Sequence, residues 1–579
     1  MDAAVTIEKR STHPPGREAR RQLLGISLED YFHVGAFRDL ISRSHWRRFE
    51  SRLERATNET LDLLDAYGAR ATFFALGWVA EHLPELVRRV VERGHEVANS
   101  GFSHRGVSEL DPAELRDELV RGHEAIVRAT GRAPRGTRIP DWIREEHLWA
   151  LDVVADLGYA YDASLRPLGS DCRSRPERRY PFDHVSGGRL VREFPVPTAK
   201  VGPLLVPIGG GNWIRQLPEQ LVMRAIERWQ ERRDVPFSMY LQSWELDPSQ
   251  PRITAASWLT SVRHYRNLER TERVLRRLLA QRPFVGYAEY MGLPALPWAT
   301  PSLVITPARN LAIVRDDPAA TPELVPVTVV VPCFNEAETL PYLLNTLESV
   351  GRELRHRYDL SWVFVDDGSR DGTWGVLQSL IGQRADCQLV RHAANQGIAH
   401  AILTGIGVAH DEFVCSIDAD CTYDPHQLAE LLPALEAGAD LVTASPYHPD
   451  GHVRHVPGWR LVLSRTLSSM YSRRLHSSLH TYTSCFRAYR RSRFAGLALS
   501  NHGFLGIAEM LVRAVLGGAE VVEVPATLEV RLLGQSKLKV MRVIAGHLRL
   551  LRQLGGWRGA NAMALTPVGS APTYTPGAL

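Results

Sequence analysis

The chain reads as an α/β protein of two domains, an N-terminal distorted (β/α) barrel followed by a doubly wound α/β domain. Three observations predict this. The 579 residues exceed what one core fills, since single cores stop growing near roughly 250–300 residues. Short apolar strand-like runs alternate with amphipathic helical stretches over most of the length. A proline-rich stretch without periodicity, 294–326, divides the two regions and reads as a linker.

Composition narrows the function classes. Hydrophobic content of 44% and charged content of 23% are those of an ordinary globular protein, and a net charge of +4 argues against wholesale nucleic-acid binding. The six cysteines are scattered without a C-x-x-C pair, which excludes a disulfide framework or a zinc knuckle. Residues 1–22 are Arg-rich with Pro14-Pro15 and no apolar stretch, so they are expected to form a flexible tail and no signal sequence. No run nears the roughly 18 apolar residues of a membrane span. The expectation is a cytoplasmic protein, with peripheral contact at the inner face of a membrane left open.

In the first domain, expected over 23–293, Leu24 to Phe32 predicts a strand with acidic residues at its exit, and a helix runs through Leu61–Leu64. Ala71–Gly77 predicts a buried strand. Pro84 to Gly94 predicts a helix, with proline in its first turn and glycine just past its end. Strand and helix keep alternating through His95–Ala98, Leu115–Thr130, His147–Gly158 and Val235–Leu241, which indicates a barrel.

Glu29-Asp30-Tyr31-Phe32, Ala71-Thr72-Phe73-Phe74, Gly94-His95-Glu96-Val97, Ser103-His104-Arg105, Asp162-Ala163-Ser164 and Trp244 to Arg252 resemble the NodB-like polysaccharide deacetylases. The resemblance implies their distorted barrel, but the positions that make such an enzyme work depart. Ser27 stands where the family has an aspartate base, Ser100 where it has a metal-binding histidine, and Gln242 where it has a catalytic histidine. Glu29 and His104 leave a metal without a third protein ligand, and serine and glutamine neither take up nor release a proton near neutral pH. Arg138 and Asp162 are retained. The barrel is therefore expected to have lost amide hydrolysis and to serve as a glycan-binding or scaffolding domain. Nine of 13 tryptophans lie before residue 300, as sugar platforms or as core. The alternative is a bifunctional deacetylase and transferase.

The second domain, expected over 327–553, is organised around Phe413 to Asp420, an apolar strand-like run ending in two carboxylates. Asp418 and Asp420 at i and i+2 in a loop leaving a buried strand suit one Mg2+ or Mn2+ ion, which keeps positions for water and phosphate. Val329–Pro332 and Trp362–Asp367 are two further strands delivering polar groups to their carboxyl ends, where open α/β sheets bind ligands.

Val329 to Ala337, Val365 to Thr373, Asp418-Ala419-Asp420, Ser484 to Tyr489, and Arg531 with Gly534 to Lys537 resemble the family 2 glycosyltransferases of the GT-A fold, and among them the polyprenyl-phosphate sugar synthases. The resemblance implies a nucleotide-sugar donor. It implies contacts to the nucleotide by Pro332, Asn335 and Glu336, and to base and ribose by Asp366 and Asp367. Asn395 and Gly397 would approach the donor, and Arg487 a phosphate of donor or acceptor. Arg531 and Lys537 would close over the diphosphate. Read as residues alone, Asp366 to Ser369 is also a good β-turn, Asn395 a helix cap, and the Arg531–Lys537 stretch a solvated basic turn.

Glu509 lies where hydroxyl-acceptor relatives keep a base, whereas a polyprenyl phosphate needs none. The acceptor therefore stays open among a polyprenyl phosphate, a glycan and a small-molecule hydroxyl. Lys537–Arg552 predicts a basic amphipathic helix, lying on an anionic membrane or packed on the transferase sheet. Residues 554–579 are rich in Gly, Ala, Pro and Thr and are expected to be disordered.

Overall fold

The computed structural model describes residues 21–168, 175–201, 204–232, 235–294, 324–534 and 540–554. Most of the expected linker, most of both expected tails and Lys537 lie outside them, while Gln22, expected in the tail, opens the first strand. The chain divides into two compact units. One comprises Met1–Asp39, Ser51–Gln250 and Ser257–Leu311; the other comprises Leu40–Glu50, Pro251–Ala256 and Ala312–Leu579.

The first unit is built on Gln22–Leu28 (β1), Thr72–Ala75 (β2), Glu96–Asn99 (β3), Gly136–Thr137 (β4), Tyr161–Asp162 (β5), Phe182–Ser186 (β6), Arg189–Glu193 (β7), Ser238–Gln242 (β10) and Phe284–Val285 (β11). These form one sheet in the order β10-β1-β2-β3-β4-β5-β7-β6, with β11 beside β1. All neighbours are parallel except β6 against β7. Thr198–Val201 (β8) and Leu204–Pro207 (β9) make a separate antiparallel hairpin. Among the described residues no ladder joins the two ends of the path, so the distorted (β/α) barrel is a curled, incompletely closed one. Expected helices are present as Leu53–Ala66, Pro84–Glu92, Pro112–Thr130 and Trp149–Asp156. The first strand ends at Leu28, four residues earlier than its apolar pattern predicts, because Asp30 turns back to bond its neighbours.

The second unit is a doubly wound sheet of the GT-A type. Its strands are Val325–Cys333 (β12), Tyr358–Asp366 (β13), Cys387–Arg391 (β14), Phe413–Ser416 (β15), Leu441–Ser445 (β16), Arg487–Arg490 (β18) and Val521–Pro525 (β19), in the order β14-β13-β12-β15-β18-β16-β19. His452–Val453 (β17) and Thr527–Leu528 (β20) pair apart from it. The centre strand β12 shows why such strands read as unbroken apolar runs. Val329 and Val331 pack into one core with Leu343, Leu347 and Leu431, whereas Val330 packs into another with Ile402, Ile406 and Ile507. Alternate side chains of one strand thus enter two cores, one on each face.

Helix Ile398–Val408 approaches β12 closely. A Cβ on Gly405 would lie 2.2 Å from Val330, while Gly407 faces open space and has no such role. Strand β14 is absent from the sequence reading, being a short, half-exposed edge run that lacks an alternating pattern. The helix after β12 begins only at Leu340, because side chains of Ser369 and Thr373 hold the backbone N–H groups of Asn335 and Glu336 in a turn.

The helix Val540–Gln553 resolves one alternative. Leu550 is buried in the core of the second unit, and His547, buried, bonds the Tyr471 hydroxyl at 2.9 Å, so this helix packs within that unit, against the helices Gly458–Leu475 and Gly503–Leu516. Among the described residues no helix is long and apolar enough to cross a membrane.

Candidate active site

Parallel pairing of β13, β12 and β15 puts Asp366, Cys333 and Ser416 at one edge, and the loops beyond them open into a cleft of about 1100 Å3. Pro332, Glu336, Asp367, Asn395, Gly397, Asp418, Asp420 and Arg531 all line it. The sequence placed these eight on five separate segments; the sheet brings them together.

Asp418 and Asp420 sit on the wall past β15. Burial, and then the charge of Asp420, push the Asp418 carboxyl up to about 7, while Arg531 opposes the rise. Asp420 accepts from the Thr422 N–H at 3.1 Å and lies 3.4 Å from Arg531 Nη1. The same guanidinium bonds Glu336 through Nη2, and its Nε donates to the Leu533 carbonyl at 2.7 Å. Hard carboxylate oxygens on one wall fit a small divalent cation that takes its remaining ligands from water and phosphate. Among the described residues no group of three or more His, Cys, Asp or Glu is arranged to hold a metal by itself, so protein ligation alone does not complete such a site.

Asp367 lines the cleft, but its oxygens are taken. It accepts from the N–H groups of Gln396 and Gly397, both at 2.8 Å, and from His392 Nδ1 at 2.7 Å. It therefore fixes the loop before helix Ile398–Val408. Gly397 begins that helix at φ +93°, and a Cβ there would lie 2.5 Å from the Gly503 nitrogen. The cap expected of Asn395 is not made; its side chain donates to the Asp367 carbonyl at 3.3 Å.

Four expected site residues stand back from the cleft. Asn335, at φ +52°, accepts the Arg370 N–H at 2.7 Å and braces the neighbouring loop. Asp366 is fully buried, accepts from the Ser369 N–H at 3.0 Å and lies 3.1 Å from Arg391 Nε. Arg487 is fully buried and donates to the carbonyls of Ile507 at 2.8 Å and Tyr482 at 3.0 Å; this position in the core corrects the expectation that it meets a phosphate.

Glu509 is likewise fully buried. It accepts from Ser500 N at 2.9 Å, Asn501 N at 2.8 Å and Asn501 Nδ2 at 2.7 Å, and pairs with Arg513 at 2.7 Å. Its oxygens hold the loop that leads to His502 and Gly503, which do line the cleft. Tyr447, Arg460 and His502 are lining residues that sequence reasoning missed. They lie in segments without periodicity, and only His502, beside the glycine that opens a helix, carried a local signal.

In the first unit, Glu29, His104 and Gln242 meet at the ends of the strands. Gln242 Nε2 donates to Glu29 at 2.7 Å, and His104 Nε2 lies 3.5 Å from the same oxygen. Although burial pushes the Glu29 carboxyl up, His104, Arg138 and Gln242 together hold it below its ordinary value. Ser100 donates to the Arg138 carbonyl at 2.8 Å. The Arg138 guanidinium lies 4.4 Å from the ring centres of both Trp142 and Tyr240. Asp162 is fully buried and accepts from Thr137, at 2.6 Å, and Ser164. Trp244 stacks on His264 at 4.0 Å and is buried, a core residue and no sugar platform.

Comparison with known proteins follows the same division. A model described as glycosyl transferase family 2 matches residues 328–497, one described as polysaccharide deacetylase matches 43–161, and one for a domain of unknown function matches 163–292. The polyprenol monophosphomannose synthase of Mycolicibacterium smegmatis is 36% identical over 230 residues, 38% of this chain and 84% of that protein. The chain belongs to glycosyl transferase family 2.

Within the family this transferase is similar to the polyprenyl-phosphate sugar synthases, and it carries a NodB-like polysaccharide deacetylase domain ahead of the transferase domain. A dolichol-phosphate mannosyltransferase of Pyrococcus furiosus is 29% identical over 235 residues, 40% of this chain and 64% of that one. A chitooligosaccharide deacetylase of a Bradyrhizobium species is 41% identical over 100 residues, 17% of this chain and 43% of that one. The transferase thus spans less than two thirds of the length of these last two relatives.

Proposed function

We propose that the protein is an inverting, metal-dependent transferase that moves a sugar from a UDP- or GDP-sugar to a polyprenyl phosphate. The observation that carries this reading is the convergence of Asp418, Asp420, Glu336 and Arg531 on one wall of the cleft at the carboxyl edge of the sheet. Asp418 and Asp420 would hold Mg2+ or Mn2+, which when bound neutralises charge on the leaving diphosphate. Arg531 and, by resemblance, Lys537 add cationic stabilisation of that charge. An acceptor oxygen forms its bond to the anomeric carbon as the bond to the diphosphate breaks, and the nucleoside diphosphate departs.

The state of Glu509 supports a phosphate acceptor. A carboxylate already bonded by three donors of the 500–501 loop and an arginine is not disposed to take a proton from a hydroxyl, whereas a phosphate oxygen is already anionic. The names of the two synthases above support the same choice. The deacetylase domain, in this reading, does not hydrolyse: Gln242 occupies Glu29, and Ser27 and Ser100 offer neither base nor ligand. Nucleotide sugars place the work in the cytoplasm, at the inner membrane face where a lipid phosphate would be met.

The test is incubation of the full chain with Mn2+ and a panel of nucleotide sugars, with and without a polyprenyl phosphate, following nucleoside diphosphate release and glycolipid formation. Asp418→Ala and Asp420→Ala are expected to lose at least about a hundredfold in rate. Transfer to an oligosaccharide hydroxyl alone, or full activity in both variants, would sink the reading.

A further inference from the structure

Asp418, Asp420 and Glu336 put three carboxylates around one end of the cleft, and the Arg531 guanidinium lies between two of them. The side chains of Arg531, Glu336 and Asp420 are 16%, 10% and 19% exposed, so the pairing is made largely out of water. The third guanidinium nitrogen is tied to the Leu533 carbonyl within its own loop. The arginine is thus held at all three nitrogens, two on the acidic wall and one on its own loop.

We propose that Arg531 is the internal counter-cation of this wall in the nucleotide-free protein, and that it must exchange from the carboxylates to the donor diphosphate when a divalent cation enters. This rests on the transferase reading above. A divalent cation held by Asp418 and Asp420 would compete with the guanidinium for Asp420 and repel its positive charge. The diphosphate that arrives with the cation brings new negative oxygens and a bidentate partner suited to a planar guanidinium. Cation and nucleotide therefore favour each other's binding, with Arg531 as the group that couples them.

The test is Mn2+ binding to the full chain, read by electron paramagnetic resonance without nucleotide and then with UDP or GDP. Removing a positive charge a few ångströms from a partly desolvated cation site strengthens cation binding, so Arg531→Gln is expected to bind Mn2+ at least about tenfold more tightly than the native protein when nucleotide is absent. Its affinity should also rise less on adding nucleotide. Arg531→Lys, which keeps the charge but cannot span both carboxylates, is expected to fall between the two and guards against misfolding of the first variant. Nucleotide-free affinity that is unchanged or weaker in both variants, in proteins that melt normally, would overturn the inference alone. Absence of Mn2+ binding by the native protein, with and without nucleotide, would instead overturn the metal-dependent reading on which it stands.

Discussion

Replacing Glu509 by glutamine separates a positioning role from that of a base. The native carboxylate, itself fully buried, takes three hydrogen bonds from Ser500 and Asn501 and an ion pair from Arg513. A glutamine keeps one acceptor oxygen and turns an NH2 toward groups that are themselves donors, so Arg513 and one loop donor lose their partner. Breaking a buried pair at one end costs about 3–5 kcal/mol, which for a unit of this size lowers the melting temperature by about 6–20 °C. Transfer to a phosphate acceptor, as proposed, needs no base, so the turnover of molecules still folded at 20 °C should fall by less than about tenfold. A catalytic base removed in the same way would cost about 10²–10⁴ in kcat. Thermal melting followed by circular dichroism, beside glycolipid formation per folded molecule, reads both quantities. A variant that melts like the native protein and has lost transfer would refute the positioning argument.

Other expectations follow from the same geometry. Arg487→Lys leaves one of two buried carbonyls without its donor and should destabilise the transferase unit by about 2–4 kcal/mol, with UDP and GDP affinity unchanged in calorimetry; a tenfold loss of affinity at native stability would return Arg487 to the donor. His264, buried against Trp244, is held down to about 3 by burial and then by the Arg215 charge. The unfolded chain takes its proton below about 6.5 and the folded chain does not, so this stabilisation is complete above that pH and is lost as pH falls toward 3. About 2 kcal/mol should be gone by pH 5, and His264→Asn should flatten that slope in melts between pH 7 and 5. The full chain carrying Asp418→Ala should hold no stoichiometric zinc in the deacetylase domain and release no acetate from an acetylated chitooligosaccharide. The combined change Ser27→Asp, Ser100→His and Gln242→His should gain about one zinc, measured by elemental analysis.

Much of this protein is legible in its residues because the physics there is local. The runs Val329–Pro332, Trp362–Asp367 and Phe413–Asp420 announce strands buried on both faces and ending in acids, and the alternation of period 2 and period 3.6 announces two α/β units. What the residues could not disclose is where each polar side chain spends its hydrogen bonds. Asp366, Asp367, Arg487 and Glu509 have the composition of a donor site. Only the folded chain decides that Asp367 fastens the 395–397 loop, that Arg487 serves two core carbonyls, and that Glu509 anchors the loop before Gly503. Sequence determined the three central strands of the second unit, their order of appearance and the chemistry available at their ends. Tertiary structure alone decided which of those groups faces the cleft, because a hydrogen-bond acceptor is consumed by whichever donor, near or far along the chain, the fold carries to it.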